Sequence, residues 1–123
     1  MTELMYKVVS KDNNEYRSSH QSPGIRYEIG KKAIPEIGKI FCFKKLEDAI
    51  NFIQDRYWLV VLSGMAENPK GIKFASMDSR CDELFWKLYG RKKNTSYVIR
   101  LGVPKGTFVV DSFTPIEEIP IER

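Results

Sequence analysis

The amino-acid sequence predicts an α+β fold: a mostly antiparallel sheet with one or two helices packed against it. Three observations lead there. Short runs rich in β-branched and aromatic residues recur along the chain, separated by Asn, Pro and Gly turn signals. One segment carries clear helical periodicity and one more is a helix candidate, so few helices stand among many strands. At 123 residues, with 42% hydrophobic and 12% aromatic content, the chain has the size and apolar surface of a single domain over residues 1–123. It shows no internal repeat, low-complexity tract or linker.

Residues 4–9, with Leu4, Met5, Tyr6, Val8 and Val9, read as the first strand. Asp12, Asn13 and Asn14 signal a turn, because Asn and Asp tolerate left-handed backbone. Residues 15–18 return as a second hairpin arm, and the polar stretch 18–24 reads as a loop. Residues 25–29 alternate apolar and polar in the period-2 pattern of a half-buried strand. A connection containing Pro35 follows, then the short apolar strand 40–43.

Leu46, Ala49, Ile50, Ile53 and Tyr57 recur at helical spacing and form one face, with Glu47 and Asp48 in the first turn where the dipole favours acids. Residues 57–62 are the most apolar stretch and read as a central strand running on toward Ala66. Residues 68–71 form a turn, and residues 72–75 a further short strand. The second helix candidate covers residues 79–89, with Ser79 as cap and Gly90 as stop. Residues 91–94 make a basic loop. Residues 95–101 and 107–111 read as two strands joined through Pro104, Lys105 and Gly106. Pro115 and Pro120 make residues 112–123 an edge strand or a docked tail.

The formal charge is +4, from 20 basic and 16 acidic residues, and it is uneven. Asp111, Glu117, Glu118 and Glu122 face only Arg123 in residues 109–123, so the body before them is distinctly basic. A basic body suits a polyanionic partner, but on charge alone an ordinary solvated surface is the favoured reading. No apolar run approaches the roughly 20 residues that span a bilayer. The opening lacks the pattern of a secretory leader, and Cys42 and Cys81 lack metal-ligand spacing. Buried, reduced thiols and a cytoplasmic location are therefore expected, with no membrane partner.

Catalytic signatures are absent. The lone His20 sits in a Ser/Gln-rich loop, no nucleophile elbow occurs, and neither Cys has an identifiable His partner. The acidic pairs 47/48, 82/83 and 117/118 are adjacent in sequence and point apart, so no metal site is expected. No phosphate-binding Gly loop is present, and no cofactor is expected. The binding candidates are Lys87, Arg91, Lys92 and Lys93 with Tyr97, beside Trp86 and Tyr89, since basic grooves with stacking aromatics hold single-stranded nucleic acid.

Residues 6–9 with 27–30, 38–49, 66–69, and 104–107 with Asp111 and Ser112 resemble a group of short uncharacterised phage and bacterial proteins. The resemblance implies an accessory or anti-defence factor that binds a host protein, a protein–nucleic acid complex or a signalling nucleotide, in the host cytoplasm if phage-encoded. The run Gly38, Ile40, Phe41 and Phe43 leading into a helix also resembles the ADP-ribosyltransferase-like scaffold. That resemblance implies Arg17 or His20 as first motif residue, Phe41 or Phe43 at the nicotinamide-stacking position, and Glu117 or Glu118 as final glutamate. The leading expectation is a non-enzymatic protein that binds and modulates, by inhibition for example, a host macromolecule. The alternatives are an ADP-ribosyltransferase-like or nucleotide-binding protein, and a nucleic-acid-binding protein. Nothing in the sequence fixes the oligomeric state.

Overall fold

Strand β1 (Thr2–Asp12) organises the fold because its side chains alternate between two cores. Met5, Lys7 and Val9 point one way, Tyr6 and Val8 the other. The computed structural model describes residues 1–18, 25–35, 38–72, 74–75, 101–102 and 105–122. Asn13 and Asn14 adopt positive φ (50° and 65°), as a two-residue hairpin turn matched to strand twist requires. They return the chain as β2 (Glu15–Ser18), which pairs with β1 from Asp12↔Glu15 to Val9↔Ser18 and carries β3 (Arg26–Tyr27) on its other edge.

β4 (Ile40–Phe43) meets β1 at Tyr6↔Phe43. Helix α1 (Leu46–Ile53) follows, then β5 (Leu59–Glu67), antiparallel to β1 from Ser10↔Leu59 to Thr2↔Glu67. β6 (Lys70–Gly71) continues past a turn at Asn68, whose φ is 53°. β7 (Phe74–Ala75) and β8 (Leu101–Gly102) form a separate antiparallel ribbon. β9 (Thr107–Val110) pairs with β4 and β6. Through Asp111 it becomes β10 (Ser112–Ile119), which pairs with β5. Since β9 and β10 are one continuous stretch, β1, β5, β9–β10 and β4 form a circuit of neighbours and the sheet curls around its inner face.

Met5, Val9, Tyr27, Ile40, Cys42, Leu62, Ala66, Val110 and Phe113 fill the inner core. Val8, Phe43, Leu59 and Val61 form the outer core, covered by Ala49 and Ile53 of α1. Each fully buried aliphatic or aromatic side chain contributes about 1.5–3 kcal/mol, so both faces matter to stability. A bulge between Pro115 and Glu117 lets β10 serve both cores. Before it Phe113 faces inward opposite Ala66; after it Ile119 packs toward α1 opposite Val61.

The architecture is therefore sheet-dominated, largely antiparallel, with a single helix among the described residues. The second helix candidate, 79–89, lies outside them. The tail is more than an edge strand over part of its length: Phe113 exchanges two backbone hydrogen bonds with Ala33, and Gly30 N–H donates to the Pro115 carbonyl. Tyr57 does not continue the helical face. Arg56 N–H donates to the Ile53 carbonyl and Leu59 N–H to the Arg56 carbonyl, so two tight turns break the helix and swing Tyr57 and Trp58 outward. No described helix is long and apolar enough to cross a membrane.

Candidate functional site

Helix α1 ends without a basic residue in its last turn, and the residue that closes it comes from beyond. Arg56 Nη1 donates to the Phe52 carbonyl at 2.6 Å, and the guanidinium lies 4.8 Å from the Phe52 ring centre. A cation at this terminus complements the helix dipole, and cation–π contact fixes the turn further. The two residues carried by that turn are aromatic and open to solvent: Tyr57 is 75% exposed and Trp58 60%. Trp58 is also tied to the sheet through its carbonyl, which accepts from Lys11 N–H.

Beside Tyr57 is a cleft of about 270 Å³, lined by that residue with Ile50, Ile53, Gln54, Asp55, Ile121 and Glu122. Its apolar part comes from α1 and from the residues after β10. Its charged lining residues are both acidic. The region thus brings exposed aromatic, aliphatic and acidic side chains together.

A second feature lies inside the curled sheet. Lys7 faces inward between Met5 and Val9, only 6% exposed, and no described carboxylate pairs with it. Continuing the register from Tyr6↔Phe43 sets it opposite Cys42 across β1 and β4. Burial holds the Lys7 ammonium below its usual range and pushes the Cys42 thiol up to about 12. The Tyr27 hydroxyl shares this interior without a hydrogen-bond partner among the described residues, and burial raises its pKa. Its ring meets Phe113 edge-on, with centroids 6.1 Å apart.

The candidates from the sequence fall elsewhere. Arg17 lies exposed on β2, paired with Glu15 Oε2 at 3.2 Å. Glu117 is exposed on β10 opposite Ser63, with β1 and β5 between it and β2, so the structure does not bring Arg17 and Glu117 together. Glu118 accepts from Lys11 Nζ and Tyr16 Oη, both at 2.9 Å. Burial pushes its carboxyl upward, but those two hydrogen bonds outweigh it and hold the pKa below the usual range. Phe43 is buried against the Phe52 ring, and Phe41 is half-buried. His20, Lys87, Arg91, Lys92, Lys93 and Tyr97 lie outside the described residues, as do Trp86 and Tyr89.

Two features escape the sequence reading. Lys7 was detectable, since strand alternation puts it on the same side as Met5 and Val9. The exposure of Tyr57 and Trp58 had no such signal, because their apolar character fits a buried strand equally well. Comparison with protein-family models, curated proteins and solved structures finds no match to this chain.

Proposed function

We propose that this chain is a non-catalytic binding module that engages and modulates a macromolecular partner through the face built from the end of α1, Tyr57, Trp58 and the tail after β10. The observation that carries this reading is the adjacent, solvent-exposed Tyr57 and Trp58 held on a turn closed by Arg56. Tyr and Trp present large contact areas while losing little side-chain freedom, and they dominate binding energy at protein interfaces. A rigid turn lowers the ordering cost of association further. The arrangement fits the accessory role implied by the phage-type resemblance, in which binding itself modulates a host macromolecule.

The test is a tagged pull-down from nuclease-treated bacterial lysate, washed at low and high salt, with the wild type beside a Tyr57→Ala/Trp58→Ala variant. The expected result is one stoichiometric protein that survives both washes on the wild type and is lost from the variant. Equal capture by both chains, or no specific capture by the wild type, contradicts the proposal.

A further inference from the structure

The cleft beside Tyr57 carries information about partner chemistry. Ile50, Ile53 and Ile121 give it an apolar lining, and Asp55 and Glu122 are its charged residues. Asp55 lies in the turn that follows α1 and Glu122 in the residues after β10, so two separate segments bring acidic side chains to the same cleft. This acidic face belongs to a chain whose overall charge is +4. A volume of about 270 Å³ admits one or two aliphatic or aromatic side chains and is too small for a folded element.

We infer that the cleft takes an extended peptide segment of a partner protein, with a large apolar residue seated against the half-buried Ile50 and Ile121 and Lys or Arg flanking it against Asp55 and Glu122. This inference rests on the binding-module reading and names the partner's chemistry. Apolar anchoring supplies the affinity. The acidic rim supplies selection, because an acidic segment meets like charge there while a basic one meets opposite charge.

A random heptapeptide display library selected on the immobilised full chain tests the inference. Parallel selections use an Asp55→Lys/Glu122→Lys variant, checked for native fold by circular dichroism, and a blank surface. The expected result is enrichment of sequences with a Leu, Ile, Phe or Met beside two or more Lys or Arg, lost on the variant. A synthetic copy of the strongest sequence, followed by fluorescence anisotropy, should bind the variant at least tenfold more weakly. Its affinity for the wild type should fall as salt rises. Enrichment of acidic or uncharged sequences, enrichment that survives the charge reversal, or no enrichment above the blank overturns the inference. Loss of lysate capture in the Tyr57→Ala/Trp58→Ala variant, together with any of those outcomes, leaves the binding module standing and removes only the basic–apolar partner.

Discussion

Lys7 is a lysine placed where the sheet needs an apolar side chain. Its neighbours on the strand face, Met5 and Val9, are wholly buried, and across β4 it meets a protonated thiol rather than a carboxylate. A buried charged donor with no carboxylate partner among the described residues costs about 1–3 kcal/mol or more, so Lys7→Met should raise unfolding stability by about that amount. The pH dependence has a definite sign. Burial lowers the folded-state pKa below the ordinary 10.5, so the unfolded chain holds more protons between those two values. Stability therefore rises with pH across that interval, and below it the penalty is present in full. Cys42 acts in the opposite sense between its ordinary 9.0 and about 12, and Tyr27 does so from its ordinary 10.0 upward. Cys42 and Tyr27 are common to both chains, so urea titration of wild type and Lys7→Met side by side cancels their contribution and is carried up to pH 10.5. The stability gap should narrow as pH rises; a constant gap, or a less stable variant, contradicts the assignment. The same burial predicts that Cys42 stays unreactive toward an aromatic disulfide reagent until the chain unfolds. Rapid native-state labelling, followed by peptide mapping to separate it from Cys81, would show the inner core to be open. The sequence contained the position of Lys7 in its alternation, but not that Cys42 would lie across from it, which depends on how distant strands meet.

Among the elements, β10 shows most clearly where local pattern stops being informative. The hairpin at Asn13 and Asn14, the short strand at Ile40–Phe43 and the start of α1 follow from turn chemistry, apolar runs and first-turn acids, all readable within a few residues. The tail reads as an edge because of its prolines. The bulge after Pro115 reverses which residues face inward, and the segment at Gly30 and Ala33 covers the remaining edge. Both depend on long-range pairing. Close approach across β5 and β10 makes the arrangement testable. A Cβ at Gly64 would lie 2.6 Å from Phe113 Cζ and collide with the Thr114 carbonyl, and backbone cannot yield as a flexible side chain does. Gly64→Ala should therefore cost about 1–3 kcal/mol, read as a lower denaturation midpoint, despite the better intrinsic behaviour of Ala. An unchanged midpoint would mean that β10 does not sit on β5 as described.

For the molecule as a whole, the fold separates stability from recognition. The inner and outer cores hold the curled sheet, while Tyr57, Trp58, Asp55 and Glu122 stand outside both cores. Sheet dominance and antiparallel pairing were legible, because many short β-rich runs and few helical ones leave little alternative. The candidate face was not, because apolarity alone assigns Tyr57 and Trp58 to a core and only the turns around Arg56 bring them outside. Trp58→Ala should therefore leave unfolding stability within about 0.5 kcal/mol of the wild type while weakening partner capture. The measurement that tests the central claim most directly is amide hydrogen exchange on the full chain, free and in complex with the protein it captures. The account predicts new protection concentrated in residues 50–58 and 119–122, with β2 and β3 unchanged. Protection confined to other surfaces, with that face exchanging as in the free chain, would contradict it.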